Sequence, residues 1–355
     1  MPPSVLVAMS GGVDSSVAAC LLAEQGYDVV GSHLKLVHTG GVEHGCCGPQ
    51  AESDARAVAE QAGFPFEVLD LSEVFEERVV EDYLSELEGG RTPNPCVRCN
   101  ERVKFGAFLD RAKAIGANFV ATGHYVRTAR GSDGRWRLYR GLDHTKDQSY
   151  VLAGLTQDQL ARSLFPVGDQ TKTETRTHAE RLNLPVAGKP DSQDLCFAPA
   201  ADAATFVQNR APHLAREGDV VDPEGRVLAT HEGTFRYTIG QRRGLGVSSG
   251  ERTYVVDVDA PSNRVVVGPS QLLVRRGLEA ERVNWVADRP SGPFEAGVKI
   301  RYRGSETPAV VEPVGIDGAR VEFRSSQPAV TPGQAVVFYV GDRVAGGGTI
   351  RRAVA

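Results

Sequence analysis

The chain has 355 residues, 41% hydrophobic and 24% charged, a composition ordinary for a globular protein with two or three domains, each large enough to bury a core. Its net charge of −5 does not mark a nucleic-acid binder, and no apolar run approaches the roughly 20 residues of a membrane span, so membrane insertion is excluded and no membrane partner is expected. Pro2-Pro3 leads into an apolar run without a signal-peptide pattern, and the expected location is the cytosol. Strands are expected at 4–9, 28–34, 65–71 and 118–123, alternating with helices at 15–25, 50–62, 72–87 and 104–115. Gly63 and Gly116 sit where helix C-caps belong. This alternation makes the first part an α/β domain with a doubly wound, mostly parallel sheet, whose ligands bind beyond the C-terminal strand ends. Helices resume at 156–164 and 173–182. Past about residue 215 the strands shorten and turns such as Asp222-Pro223-Glu224-Gly225 and Gly315-Ile316-Asp317-Gly318 become frequent, which predicts hairpins and a small barrel. The expected domains are 1–204, a small linking domain at 205–271 and a C-terminal β-barrel at 272–355. Gly346-Gly347-Gly348 is expected to form a bulge or turn. Residues 271–355 carry 12 Lys/Arg against 9 Asp/Glu, enough for a local phosphate-contacting face within an acidic chain.

The most specific stretch is Ser10-Gly11-Gly12-Val13-Asp14-Ser15-Ser16. It follows the apolar run Val5 to Met9 and opens a helical pattern, and strand, glycine turn and helix together present backbone N–H groups to phosphate. The loop lacks the lysine of a Walker A motif. It resembles the SGGxDS loop (PP-loop) of the ATP pyrophosphatases, enzymes of the adenine nucleotide alpha hydrolase-like fold that split ATP between its α- and β-phosphates and transfer AMP to a substrate oxygen. Thr122-Gly123-His124 ends another expected strand and should face the same crevice.

Six cysteines in a long cytosolic chain favour catalysis or metal binding over disulfides. Cys96 and Cys99 form a Cys-x-x-Cys behind two prolines, within Thr92-Pro93-Asn94-Pro95-Cys96-Val97-Arg98-Cys99-Asn100. Cys196 is a third, distant sulfur, and a zinc site would want a fourth ligand. Cys20 reads as core. The adjacent Cys46 and Cys47 read equally as structural or functional.

SGGVDSS, TPNPCVRCN, KFG at 104–106, ATGHY at 121–125, KDQSY at 146–150, LFPVG at 164–168, SQDLCF at 192–197, GQRRGLG at 240–246, RYR at 301–303 and TPGQAVVFY at 331–339 occur in order and nearly end to end. The chain thereby resembles the tRNA-specific 2-thiouridylases, which replace O2 of the wobble uridine in certain tRNAs by sulfur. The resemblance implies that domain 1–204 is catalytic and the barrel contacts tRNA, and that ATP first adenylates O2, after which sulfur attacks C2 and AMP departs. It implies an ATP site of Ala8, Met9, Ser10, Gly11, Gly12, Val13, Asp14 and Ser15, with Leu34 and Gly123 lining the nucleotide. Asp14 would suit Mg²⁺, or only shape the loop. The target base falls to Asn94, Pro95 and Cys96. The tRNA contacts fall to His124, Lys146, Asp147, Gln148, Arg301, Tyr302 and Gln334, although His124 alone would read as a core histidine, and Arg301 and Tyr302 as barrel surface. The expected substrates are tRNAs for Lys, Glu and Gln, with sulfur supplied by a desulfurase, a relay protein or free sulfide.

One departure stands out. Better-known members carry Asp where this chain has Cys96, with Cys99 and Cys196 matching their nucleophile and persulfide carrier. A thiol has a free pKa of about 8.5 against about 3.9 for Asp, so a carboxylate acid/base role does not transfer. Three thiolates can instead hold a [4Fe–4S] cluster with one iron open to carry sulfur. The alternative keeps a persulfide on Cys196, with Cys99 attacking it or pairing with it. Rival functions are an amide ligase of the same ATP family and a non-catalytic RNA-binding protein with structural zinc.

Overall fold

The computed structural model describes residues 2–37, 48–190, 196–197, 203–247 and 252–355. Its compact units do not follow chain order: one comprises 1–79, 96–200 and 342–344, the other 80–95, 201–341 and 345–355.

The first unit is built on a five-stranded parallel sheet of order β3-β2-β1-β4-β7, from β1 (Ser4–Ala8), β2 (Asp28–Lys35), β3 (Phe66–Asp70), β4 (Phe119–Ala121) and β7 (Ser163–Leu164). Val5, Leu6 and Val7 of β1 are buried because this strand is central and covered on both faces, as expected of a continuous apolar run in a parallel sheet. α1 (Val13–Glu24) packs there with Val17, Ala18 and Ala19 fully buried. α2 (Pro49–Ala62) carries Pro at its first turn and closes on Gly63 at φ 77°, the left-handed cap expected from sequence.

Two expected helices are more complex than their patterns. The run at 72–87 is α3 (Ser72–Phe75), a π-helical stretch Glu76–Val80, and α4 (Glu81–Glu88). The helix expected at 104–115 begins at Pro95: α5 (Pro95–Cys99), a π-helical stretch Asn100–Ala107, and α6 (Phe108–Ala114). π-Helical insertions within helices are rare and often mark functional segments. A hairpin of β5 (Val126–Arg130) and β6 (Trp136–Arg140) follows β4, and α7 (Gln157–Ala161) stops early because Ser163 and Leu164 pair with β4. α8 (Lys172–Arg181) starts at a capping box, in which Thr171 and Glu174 exchange side-chain-to-backbone bonds.

In the second unit, α9 (Ala203–Arg210) precedes a four-stranded sheet of order β10-β11-β8-β9, from β8 (Gly218–Val221), β9 (Val227–His231), β10 (Tyr254–Asp259) and β11 (Arg264–Gly268). The C-terminal strands β12 (Val274–Trp285), β13 (Phe294–Lys299), β14 (Thr307–Val314), β15 (Gly318–Pro328), β16 (Ala335–Val340) and β17 (Arg343–Val354) run in the order β12-β15-β14-β13-β16-β17. The barrel closes where β12 pairs with β17. Leu278, Val298, Val311, Val321, Phe338 and Ile350 fill it. Register slips beside Gly347 and Gly348, so the expected bulge lies inside β17. Among the described residues no helix is long and apolar enough to cross a membrane.

The strand order sets the ends of β1 and β4 side by side. A Cβ on Gly123 would lie 2.5 Å from the Ser15 amide nitrogen and 2.6 Å from the Asp14 carbonyl carbon. Gly123→Ala is therefore expected to cost about 1–3 kcal/mol in denaturant unfolding, as overpacking against backbone does. Gly188→Ala, where a Cβ meets nothing within 4 Å, is expected to be neutral or slightly stabilising. Equal stability of the two variants would show that the β1 and β4 loops are not pressed together.

Candidate active site

The chain leaves β1 at Met9, which is buried and donates its amide to the Ser32 carbonyl (2.8 Å). Ser10 is exposed, and its amide donates to Ser15 Oγ (3.1 Å), while Ser15 Oγ donates to the Gly12 carbonyl (3.3 Å). The loop is thus tied to the helix it opens. Gly11 takes φ 66° with the Ala51 backbone where a Cβ would sit, so only glycine fits. Gly12 is the N-cap of α1 and brings no side chain to cap the first turn. Glycine backbone ahead of a twelve-residue helix suits an anion. Leu34 is buried in β2, and Gly123 lies against Asp14 and Ser15.

Asp14, in the first turn of α1, is the polar centre of this loop. Lys172 Nζ lies 2.7 and 2.9 Å from its two carboxylate oxygens, and the Tyr125 hydroxyl donates to Oδ1 (2.8 Å). Behind Tyr125 stands Thr175, with the two hydroxyl oxygens 3.0 Å apart. On the other side Lys189 donates to the Gly11 carbonyl (2.9 Å) and to Asp54 (2.6 Å). Arg176 of α8 holds the Ala187 and Lys189 carbonyls at 3.0 and 3.3 Å. Sequence reasoning assigned no role to Lys172, Thr175 or Lys189. The Thr171…Glu174 capping box marks where α8 starts, but no local pattern shows that its first residue reaches back to the glycine loop.

His124 is buried, its Nδ1 2.7 Å from Thr122 Oγ1 and its ring against Phe105. Burial, reinforced by the Lys104 charge, holds its pKa well below the usual histidine range, so the imidazole is neutral at pH 7. Asp147 is also buried. It accepts from the Ser149 amide and hydroxyl (both 3.0 Å) and from the Gly141 amide (3.3 Å), and pairs with Arg140 (3.3 Å). Gln148 Oε1 accepts from the Tyr125 amide (2.9 Å), while Lys146 is half-exposed. These side chains hold the loop around Tyr125 in shape.

Cys96 and Cys99 sit one turn apart on α5, Cys96 exposed and Cys99 buried. The buried Asn100 side chain donates to the Val151 carbonyl (3.3 Å). Cys196 is partly exposed beside Phe197, which packs edge-on against Phe75 at 5.7 Å. Ser192 to Leu195, and the Cys46-Cys47 pair, lie outside the described residues. Among the described residues no group of three or more His, Cys, Asp or Glu side chains is arranged to hold a metal ion. Asp14 likewise stands in a lysine pair.

Within the second unit, Gln334 Nε2 donates to the Thr92 carbonyl (2.8 Å) and the Thr92 amide to the Pro332 carbonyl (2.9 Å), which fixes the approach to Asn94 and Pro95. Arg301 donates to the Pro328 and Ala329 carbonyls (3.0 and 2.7 Å). Tyr302 is exposed, with Lys299 Nζ 5.9 Å from its ring centroid.

A parallel sheet with a glycine loop at its strand-order switch, followed by a small β domain and a barrel, defines an ATP-using HUP-domain enzyme. Residues 3–200 match the tRNA methyl transferase HUP domain family, 204–269 the tRNA methyl transferase PRC-barrel domain and 275–350 the aminomethyltransferase β-barrel domain. The chain is 47% identical to the tRNA-specific 2-thiouridylase MnmA of Geotalea uraniireducens, over 99% of this chain and 95% of that protein. It is 48% identical to the same enzyme of Geobacter metallireducens (99% and 97%) and 49% to that of Heliobacterium modesticaldum (99% and 93%). The chain belongs to the tRNA-specific 2-thiouridylase family.

The thiols differ enough in setting to be told apart by reactivity. Burial, with the Glu24 charge nearby, pushes the Cys20 thiol up to about 11, whereas Cys96 is exposed. The thiolate is the reactive form, so in reduced, chelator-treated native protein Cys96 should alkylate first and Cys20 last among the four described cysteines, with little labelling of Cys20 even at pH 9. Peptide mass spectrometry reads the order, and Cys20 labelling as fast as Cys96 would contradict the packing of α1.

Proposed function

We propose that this chain uses ATP to convert the wobble uridine of tRNA into 2-thiouridine, releasing AMP and pyrophosphate. Family membership together with the Ser10–Ser15 loop supports this reading. The loop amides and the head of α1 receive the phosphates, and the Gly123 backbone allows the base and nucleotide to approach. Uridine O2 attacks the α-phosphorus and pyrophosphate leaves. Sulfur then attacks C2, and AMP departs with the former O2. Asn94, Pro95 and Cys96 hold the base. His124, Lys146, Asp147, Gln148, Arg301, Tyr302 and Gln334 form or brace the surfaces that receive tRNA, with Lys146, Arg301 and Tyr302 outermost. Substrates are the tRNAs for Lys, Glu and Gln, met in the cytosol, and sulfur comes from a desulfurase, a relay protein or sulfide. Mg²⁺ would accompany ATP, its oxygen ligand Asp14.

Cys96, Cys99 and Cys196 are the sulfur-handling residues of this reading. Three thiols without a carboxylate are the right donors for a [4Fe–4S] cluster, which would supply an open iron as sulfur carrier. The second route is a persulfide relay. The terminal sulfur of a Cys196 persulfide attacks C2, and the Cys99 thiolate displaces the product sulfur from Cys196. A Cys99–Cys196 disulfide remains for a thiol reductant to reopen.

Iron and acid-labile sulfide, measured on oxygen-free protein that thiolates tRNA, separate the two routes. About four of each per chain, with activity lost on chelation and in Cys96→Ala, Cys99→Ala and Cys196→Ala alike, establishes the cluster. Thiolation without iron, with Cys96→Asp active and Cys99→Ala and Cys196→Ala inactive, establishes the persulfide. Absence of tRNA thiolation with every sulfur source would overturn the function itself.

A further inference from the structure

We propose that Lys172 is the cation that neutralises the phosphate chain of ATP at the glycine loop, moving from Asp14 to the β- and γ-phosphate oxygens when the nucleotide binds; this rests on the function proposed above. Expelling pyrophosphate concentrates negative charge on the departing oxygen, and phosphoryl-transfer sites meet that charge with a fixed cation. Ser10 to Ser16 contains no lysine, unlike a Walker A loop. The fold supplies one from elsewhere, 158 residues further along the chain.

Three observations single out Lys172. Its side chain is only 12% exposed, yet its ammonium sits on the first-turn carboxylate of the helix that opens from the loop. Burying such a pair seldom stabilises a fold beyond what apolar residues would give, so stability alone is a weak reason for it. Its backbone is fixed: the amide donates to Asp143 (3.0 Å), and the residue opens α8 directly after the Thr171 cap. The four-carbon stem can still redirect a point charge while its base stays put. Tyr125 also holds Asp14, so the carboxylate keeps a partner when the lysine leaves. Lys189 is placed differently, tied to the Gly11 carbonyl and Asp54, and braces the loop backbone.

The step balances without proton transfer by the lysine. O2 bonds to the α-phosphorus, and the bond from that phosphorus to the bridging oxygen breaks. Its electron pair leaves on pyrophosphate, the N3 proton of the base goes to solvent, and Lys172 stays an ammonium throughout.

The test measures binding of inorganic pyrophosphate to the full chain by calorimetry, alongside tRNA-dependent AMP formation and tRNA affinity, with folding checked by thermal denaturation. Lys172→Met should weaken pyrophosphate about tenfold or more and slow AMP formation about 100-fold, the loss typical of removing one charge-stabilising group, with tRNA affinity unchanged. Lys172→Arg should recover part of both. With Mg²⁺ left out of the titration, Asp14→Asn should bind pyrophosphate as tightly as the unmodified chain or more tightly, because it removes a negative charge and releases the lysine. If Lys172→Met and Asp14→Asn weaken pyrophosphate alike, Lys172 only shapes the loop and the proposal is wrong. If Lys172→Met fails to fold, Lys172→Arg and Asp14→Asn still decide by the direction in which each moves pyrophosphate affinity. Should the unmodified chain make no AMP with tRNA while the pyrophosphate pattern holds, the proposed function fails and the phosphate site stands.

Discussion

Two backbones pressed together at the ends of β1 and β4 govern the first unit. The sheet order β3-β2-β1-β4-β7 sets these strands side by side, and the chain leaving each must turn in a space one Cβ would fill. Gly123 meets this constraint from one side by lying on the Asp14–Ser15 peptide, and Gly11 meets it from the other by turning left-handed against Ala51. An anion site made of backbone needs such crowding, because amides recognise phosphate only where no side chain stands between them. The buried apolar run of β1 and the all-round burial of α1 hold the two turns at this distance. The loop therefore rests on hydrophobic packing that begins at its own neighbours, Met9 and Val13.

Charge is layered over that frame with unequal weight. Arg181 and Glu24 form a doubly bonded pair between α8 and α1, but both side chains are close to half exposed, and such pairs contribute about 0–1 kcal/mol. The pair at the other end of the same helix, Lys172 with Asp14, is more enclosed and is joined by the Tyr125 and Thr175 hydroxyls. α8 thus runs from an enclosed contact at its head to a solvated one at its tail. Arg176, between them, secures the segment that leads toward Cys196.

Much of this was legible in the sequence where the signal is local. β1 to β4, α1, α2 and α8 lie within a residue or two of their expected bounds, because apolar runs, glycine caps and the Thr171…Glu174 box are short-range features. α1 begins two residues early, since Gly12 and not a serine side chain opens it. The prolines before Cys96 concealed a helix: Pro95 reads as a breaker, yet it occupies a first helical position, where its missing amide costs nothing. The π-helical stretches were invisible because an extra residue in a turn leaves composition unchanged and shifts hydrophobic phase only slightly. The Lys172–Asp14 ion pair and the Lys189 bond to the Gly11 carbonyl join residues more than 150 positions apart, and no periodicity within one chain encodes such a meeting.

The cysteines follow a different logic from the loop. α5 points Cys99 into the unit and leaves Cys96 outside, so one helical turn offers one shielded and one accessible sulfur. A carboxylate at the accessible position would be charged at neutral pH in nearly any setting, whereas a thiol is a strong ligand or nucleophile only as the thiolate. The side chain at 96 thus differs in kind from a carboxylate, while the glycine loop is held by the packing of β1 and α1.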